Sequence, residues 1–410
     1  MFLYTYSGTF SALWGDGLHP IFSSEYNVSA FLIFSNIAYV SFQSGFLWTR
    51  KSSKQETPLI PSYQFGKYAS LFLNRAVFCA NTAMVMEIVN FVRVGGFPSL
   101  TLGKAYYSSK VAGLVLTLPS ELFATMAMVF MALFLCYRQH DLNRAFFLKI
   151  VFFIVPMGIV LSLYVILGRR GILLAHALIL LIGSRYYTPI RKISLKLVVG
   201  VFALYFVLSI LYSSRAYIGY YLFEQGDIVG LIEILLDKDR IARALVPSQN
   251  EFGVAFGNFN EYFSSNSGWL RWGTTYLRSV LLFIPSWLYP GEKPLQVVYE
   301  FRSIYFPSEI SRGATAGTGF SFLLEAYMNF GAIGILIVYF IVGTVFAGLE
   351  NLRRTKWNRP MFIAMYLSVV SVIPTFQRNA FGDIFSNLVL YVLIAFLVGY
   401  RGIVRLYETI

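Results

Sequence analysis

The sequence predicts an all-α polytopic membrane protein with about 9–11 transmembrane helices and one large loop on the non-cytoplasmic side. Three observations favour this fold class. The 410-residue chain is 57% hydrophobic and only 13% charged, its apolar residues form runs near 20 residues long, and its basic residues concentrate in some of the connections between those runs. This composition excludes a soluble single domain and a disordered chain.

Nine apolar runs qualify as membrane spans. About 20 apolar residues cross a bilayer core, and internal Gly, Pro and Ser residues are tolerated because neighbouring helices cover the breaks. The run at 172–184 is short for a full crossing, and the shorter run at 279–289, broken by Pro285, is predicted to be interfacial or re-entrant. The nine predicted spans are 30–48, 70–92, 115–136, 147–167, 172–184, 194–213, 320–347, 361–376 and 384–400.

The distribution of charge predicts the orientation of these spans. Five connections hold 17 basic and four acidic residues, which accounts for the whole net charge of +13. Because basic residues in short loops are retained in the cytoplasm, these connections are predicted to be cytoplasmic, where they also attract anionic membrane lipid. No basic module remains that would indicate a nucleic-acid partner. The five connections are 49–67, 137–149, 185–196, 350–359 and 401–410.

The same orientation divides the chain into three parts. Residues 1–214 are predicted to form an N-terminal transmembrane bundle, 215–319 a large outer loop or cap, and 320–410 the C-terminal transmembrane helices. Nine crossings with a cytoplasmic C-terminus leave two alternatives for residues 1–29: they are translocated, or they enter the membrane. The start of the chain lacks the basic and long apolar regions of a cleavable signal peptide.

Several arginines lie on the predicted outer side, against the rule that sets the orientation. Planar guanidinium groups bind phosphate in a bidentate manner and stay charged when partly buried, so a cluster of them indicates a polyanion site at the membrane boundary. The alternative for each arginine is snorkelling or pairing with a carboxylate, such as Asp383 for Arg378 or Glu309 for Arg312. The predicted outer loop 215–319 also contains Arg271. The candidate phosphate-binding residues are Arg169, Arg170, Arg215, Arg378, Arg312, Arg278 and Arg302.

Glu325 is the outstanding acidic residue, because it begins the apolar run 320–347 about one turn below the outer boundary. An isolated carboxylate there is expensive, so it is predicted to be either a catalytic general base or a structural partner of a loop arginine. No zinc signature, P-loop or dinucleotide-binding motif occurs in the sequence, and the lone His176 is interpreted as a packing residue. The sequence therefore predicts neither a metal nor another cofactor.

Three local motifs resemble those of the Wzy-type O-antigen and polysaccharide repeat-unit polymerases. LGRRGILL resembles the Gly/Arg/Gly turn of that family, LLEAYMNFGAIG its Tyr-Asn-Phe-Gly span after the long loop, and IPTFQRNAFGDIFSNLV its outer turn with an Arg ahead of the last helix. The resemblance covers roughly residues 145–400.

The resemblance implies a GT-C-like, metal-independent glycosyltransferase of the bacterial inner membrane, with its active site facing the periplasm. It would join oligosaccharide repeat units carried on undecaprenyl diphosphate and release undecaprenyl diphosphate, in lipopolysaccharide O-antigen biosynthesis. The arginines would bind the departing diphosphate and Glu325 would be the base, and the resemblance also implies a chain-length regulator protein as a partner. Two alternatives remain open: an O-antigen ligase and a flippase for the lipid-linked oligosaccharide. The ligases used for comparison rely on a histidine in the outer loop, which residues 215–319 lack.

Overall fold

A computed structural model shows a helical chain, with no strand among the residues that it describes. The chain forms two compact units. The first unit contains Met1–Lys54, Arg243–Thr355 and Pro374–Asn387, and the second contains Gln55–Ala242, Lys356–Ile373 and Leu388–Ile410. Apart from isolated positions, the described residues are 28–50, 62–96, 117–137, 144–166, 170–184, 225–238, 251–265, 270–282, 294–307, 320–356, 360–372 and 379–386.

The second unit is a bundle of long apolar helices. Its core consists mainly of small and flexible side chains, among them Ala76, Ala80, Met126 and Ala132, all fully or almost fully buried. Small residues let helix backbones approach closely, and a Cβ at Gly183 would collide with Ala132. Its helices are α2 (Ser62–Val94), α3 (Thr117–Tyr137), α4 (Arg144–Ile166), α5 (Arg170–Ser184), α6 (Ile228–Leu235) and α11 (Pro360–Val372).

Two buried polar side chains of this bundle, Glu87 and His176, have hydrogen-bond partners inside it. Glu87 accepts a hydrogen bond of 2.6 Å from the Ser120 hydroxyl, and Nε2 of the buried His176 lies 3.1 Å from Oγ1 of Thr125. These contacts agree with the packing role expected for His176, because a buried polar group is stabilised only when it is hydrogen-bonded.

The first unit combines two long apolar helices with the short helices of the predicted outer loop. Aromatic rings join α1 (Val28–Thr49) to α7 (Glu251–Ser264) and α10 (Phe322–Lys356). The centroid of Phe34 lies 5.7 Å from that of Phe259 and 4.9 Å from that of Tyr327. Further along, α1 and α10 cross at Gly45 and Gly343, where an added Cβ would collide with the facing backbone. The helices of this unit are α1 (Val28–Thr49), α7 (Glu251–Ser264), α8 (Thr274–Leu281), α9 (Val297–Tyr305) and α10 (Phe322–Lys356), followed by a helical turn at 381–386.

Helix α10 folds back on itself at Phe330 and Gly331, whose φ/ψ angles are not helical. A straight helix would separate Phe322 from Tyr339 by about 25 Å, at 1.5 Å per residue. Their ring centroids are 5.8 Å apart, so the residues before the break form a short arm that lies back against the longer part. Glu325 lies on this short arm.

Within the described residues, five helices are long and apolar enough to cross a membrane. They correspond to the predicted spans 30–48, 70–92, 115–136, 147–167 and 320–347. The run at 172–184 forms a shorter apolar helix, as expected, and 361–376 largely coincides with α11. The prediction of an all-α polytopic membrane protein is confirmed, whereas the span at 194–213 and most of that at 384–400 lie outside the described residues. The candidate spans are Ser29–Thr49, Ala69–Val94, Pro119–Cys136, Phe147–Val165 and Phe322–Arg353.

Candidate functional site

The short arm of α10 is held against the loop helix α8 by backbone hydrogen bonds. Because α10 breaks at Phe330, the carbonyls of Met328 and Asn329 lack helical partners, and they accept hydrogen bonds of 2.9 and 3.0 Å from the N–H groups of Arg271 and Trp272. Gly273 follows with a φ of 80°, a conformation that glycine adopts without a steric penalty, and α8 begins at the next residue. The break therefore fixes where α8 starts relative to Glu325.

Glu325 is completely buried where α8, the short arm and the turn at 381–386 meet. Its Oε1 accepts a hydrogen bond of 2.8 Å from the Thr275 hydroxyl, and its Oε2 accepts one of 2.5 Å from the backbone N–H of Phe381. Both carboxylate oxygens are thus bonded to the chain itself, and they connect three segments that are distant in the sequence.

Asn329 completes this buried cluster from the next turn of the short arm. Its Nδ2 donates to the Thr275 hydroxyl oxygen at 2.6 Å and to the carbonyl of Glu325 at 2.8 Å. The hydroxyl of Thr275 therefore accepts from an amide and donates to a carboxylate, which fixes its orientation. All three side chains are at most 2% exposed, so they form a rigid polar network.

The turn at 381–386 packs closely on α8. A Cβ at Gly382 would come within 2.8 Å of Oγ of Ser279, and the ring of Phe381 meets that of Tyr276 at 5.3 Å in an edge-to-face arrangement. Burial raises the pKa of the Tyr276 phenol, and the nearby Glu325 carboxylate raises it further, so the phenol is neutral at physiological pH.

A cavity of about 260 Å³ opens beside this contact, between α8, the start of α9 and the turn at 381–386. Asp383 is the acidic residue of its wall, and burial raises the pKa of this carboxyl group above the usual value for aspartate. Asp383 also lies close enough to Glu325 for the two carboxylates to repel each other. The cavity is lined by Ser279, Leu282, Gln296, Val297, Val298, Ala380, Gly382, Asp383 and Ser386.

Two arginines converge on one carboxylate next to this wall. Arg278 and Arg271 each place a guanidinium nitrogen on Glu300, at 2.6 and 2.9 Å. Their side chains are 39% and 31% exposed, and that of Glu300 is 21% exposed. Because one carboxylate balances two guanidinium groups, the trio keeps a net positive charge that an anionic ligand can reach.

Among the candidate arginines predicted from the sequence, the structure describes the side chains of Arg278 and Arg302, and these two differ in their surroundings. Arg278 is in the trio, whereas Arg302 is buried on α9 at 3% exposure. Arg170 begins α5, and its side chain lies outside the described residues. Convergence of the whole set on one pocket thus stays a prediction. The remaining candidates, Arg169, Arg215, Arg312 and Arg378, lie outside the described residues, as does Glu309.

The described residues contain no group of three or more His, Cys, Asp or Glu side chains placed to hold a metal ion. Metal independence of the reaction stays a prediction.

Several residues of the site were not singled out from the sequence. Thr275 and Ser279 carry no signal of their own in a loop, and Asn329 entered only as the Asn of the Tyr-Asn-Phe-Gly motif, without a role. Asp383 entered only as a pairing partner for Arg378. The sequence signal for this region was the Glu325-bearing run followed by the turn before the last helix, and the structure brings these two segments together.

This fold and site define a polytopic membrane protein with a buried carboxylate network beside a polar cavity. Residues 298–409 match the model of the family described as O-antigen polysaccharide polymerase Wzy. The match supports a Wzy-type polymerase and confirms the resemblance over the C-terminal part of the chain, which includes Glu325, the turn at 381–386 and much of the cavity wall. No curated protein and no solved structure matches the chain.

Proposed function

We propose that this protein is an O-antigen polymerase that joins undecaprenyl-diphosphate-linked oligosaccharide repeat units at the periplasmic face of the bacterial inner membrane. The terminal hydroxyl of one unit attacks the anomeric carbon of the growing chain, and undecaprenyl diphosphate leaves. The single observation that supports this function most is the family match over 298–409, because it covers Glu325 and Asp383.

The reaction needs positive charge where the diphosphate departs. In the described part of the chain, Arg271 and Arg278 supply it, since a diphosphate can take the place of Glu300 between the two guanidinium groups. We propose that Arg169, Arg170, Arg215, Arg302, Arg312 and Arg378 contribute to the same leaving-group site.

The reaction also benefits from a base for the attacking hydroxyl. Glu325, the base predicted from the sequence, is at the site, but it would have to exchange Thr275 or Phe381 for the substrate before accepting a proton. Its catalytic role stays a prediction.

The proposal also includes the fold, the partners and the cofactor requirement of the protein. The proposed fold is GT-C-like, with residues 1–214 as an N-terminal transmembrane bundle, 215–319 as a large periplasmic loop or cap, and 320–410 as the C-terminal transmembrane helices. A chain-length regulator protein and membrane lipid are the proposed partners. The reaction is proposed to need neither a metal nor another cofactor.

The test is reconstitution of the purified protein with lipid-linked repeat units extracted from its source cells. We expect a ladder of longer lipid-linked glycans, with and without a chelator. Transfer across the bilayer without chain growth would instead identify a flippase, and growth that requires lipid A core as acceptor would identify a ligase. Absence of any ladder under conditions where the protein is folded would refute the polymerase.

The arginine trio gives this proposal a residue-level test. We expect Arg278→Gln to slow chain growth by about 10- to 100-fold, since loss of one charge-assisted hydrogen bond is worth about 1.5–3 kcal/mol. The matched control is Arg353→Gln, because Arg353 is also paired with a glutamate, Glu350 at 2.7 Å, but lies in a connection predicted to be cytoplasmic. Equal rates for the two variants in the ladder assay would remove Arg278 from the diphosphate site.

A further inference from the structure

Three polar side chains of the cavity beside Glu325 only accept hydrogen bonds from a ligand, whereas a fourth, Gln296, can both donate and accept. Ser279 donates its hydroxyl hydrogen to the carbonyl of Thr275 at 2.8 Å. Ser386 donates to the carbonyls of Gly382 and Asp383 at 2.9 and 3.0 Å. Because a hydroxyl has one hydrogen, both serines can offer only lone pairs to a ligand, and an ionised Asp383 does the same.

Such a wall selects the chemistry of its occupant. A diphosphate carries acceptors and negative charge, so it is disfavoured beside Asp383 and the two serine oxygens. A sugar ring presents several hydroxyl groups together with apolar C–H faces. The cavity offers apolar side chains for those faces at Val297, Val298 and Leu282, and the Gln296 amide as a further hydrogen-bond partner. The volume of about 260 Å³ is large enough to receive a ligand group of the size of one sugar ring.

We propose that this cavity receives the sugar ring bearing the acceptor hydroxyl, and that Asp383 takes the proton from that hydroxyl. The inference rests on the proposed polymerase function and assigns its acceptor subsite. As the hydroxyl oxygen bonds to the anomeric carbon, its proton passes to the Asp383 carboxylate. The bond from the anomeric carbon to the phosphate oxygen breaks, its electron pair leaves with the diphosphate, and Asp383 afterwards releases the proton to solvent.

Glu325 then acts as a positioning residue. Its Oε2 holds the N–H of Phe381, and Asp383 follows two residues later in the same turn. The close contact of Gly382 with Ser279 fixes the other side of this turn. Removing the anchor at Glu325 would let the turn move and would displace Asp383 from the acceptor hydroxyl.

Chain growth by the full-length protein in lipid, supplied with the extracted lipid-linked repeat units, tests this assignment. We expect Asp383→Asn to lower the rate by at least about 100-fold, the usual contribution of a general base, while binding of the lipid-linked substrate is unchanged. Glu292→Gln, which removes an exposed carboxylate elsewhere in the loop, is the matched control and should grow chains at the wild-type rate.

Two substitutions of Glu325 separate positioning from proton transfer. A glutamine can still accept the Phe381 N–H, so E325Q should keep most of the activity, whereas E325A loses the anchor and should lose most of it. If Glu325 were itself the base, both variants would be inactive to the same degree. Equal inactivity of the two, together with normal growth by D383N, would overturn the assignment.

A larger side chain at a residue that lines the cavity tests the subsite, because it would occupy the space proposed for the sugar ring. We expect Ser386→Leu to raise the substrate concentration needed for half-maximal growth at least about tenfold. The matched control is Ser303→Leu, because Ser303 donates to the carbonyl three residues earlier, as Ser386 does, but is exposed and outside the cavity. No ladder from the wild-type protein would refute the polymerase and this subsite with it. A wild-type ladder that D383N and S386L reproduce would refute the subsite alone.

Discussion

At the scale of single residues, the Thr275 hydroxyl joins two buried partners, since it accepts from Asn329 and donates to Glu325. Valine has nearly the same shape but no hydroxyl, so Thr275→Val would leave one amide hydrogen of Asn329 and one carboxylate oxygen of Glu325 without a partner. Unsatisfied buried groups cost about 1–3 kcal/mol each. We therefore expect T275V to lower the thermal unfolding temperature in detergent, and Thr275→Ser, which keeps the hydroxyl, to lower it much less.

The neighbouring threonine is the control for this substitution. Thr274 also donates its hydroxyl, to the carbonyl of Arg271 at 2.7 Å, but it is exposed and water can replace the bond. T274V should unfold close to the wild-type temperature. A similar loss of stability in T274V and T275V would show that α8 tolerates valine poorly, rather than that the buried hydroxyl matters.

Asp383 leads to a prediction about pH. Burial raises the pKa of its carboxyl group, so its proton is released at a higher pH than that of an exposed aspartate. If the ionised form accepts the proton of the acceptor hydroxyl, chain growth should fall on acidification, with a midpoint above the usual aspartate value of about 3.9. The pH dependence of the initial rate measures this midpoint, and a midpoint at or below about 3.9 would contradict the prediction.

The sequence indicates Glu325 as a site residue because an isolated carboxylate within an apolar run is energetically costly. It could not identify Thr275 as the partner, since that contact spans 50 positions and threonine is unremarkable in a loop. The sequence also could not show that Asp383, rather than Glu325, faces the cavity. Which of two carboxylates faces a cavity depends on how three distant segments pack, and neither periodicity nor composition contains that information.

At the scale of elements, the fold-back of α10 needs the backbone conformation that a glycine provides at position 331. Gly331 has a φ of 64° and a ψ of −151°, a region that other residues occupy only at a cost of about 1–3 kcal/mol. The nearest atom to an added Cβ there, on Leu270, is 3.9 Å away, so a methyl group fits and only the backbone would be strained. We expect Gly331→Ala to lower both the unfolding temperature and the rate of chain growth, because the strain acts on the arm that carries Glu325.

Gly348, in the longer part of the same helix, provides the comparison. It has regular helical geometry and no atom within 4 Å of an added Cβ. Alanine favours a helix over glycine by about 1 kcal/mol, so G348A should be neutral or slightly stabilising. Equal destabilisation by both alanines would indicate that α10 needs small residues for packing and that the break is not the sensitive feature.

Hydropathy predicts α10 and the other long helices because the average hydropathy of a run is the same whether its helix is straight or bent. The same averaging hid the fold-back, since Phe330 and Gly331 lie inside a continuous apolar stretch. The sequence therefore predicted Glu325 to lie one turn into a straight span. Instead, the residues before the break form a short arm that lies back against the longer part of α10 and bonds to the loop helix α8.

At the scale of the whole molecule, the net charge of +13 resides in the five connections predicted to be cytoplasmic. The site described above contains carboxylates and arginines in near balance, so its chemistry does not depend on that excess. The charge is predicted to set the orientation and the site the activity, so the two predictions can be tested independently.

Cysteine labelling tests the orientation. Leu236, 66% exposed, lies in the predicted periplasmic loop, and Leu352, 38% exposed, lies in the predicted cytoplasmic connection 350–359. The native Cys79 is buried and Cys136 bonds the Gly183 carbonyl at 2.8 Å, so the wild-type background should be low. We expect a membrane-impermeant maleimide to label L236C but not L352C in spheroplasts, and to label both after permeabilisation. Labelling of L352C before permeabilisation would reverse the assigned orientation and place the Asp383 cavity on the wrong side for a periplasmic substrate.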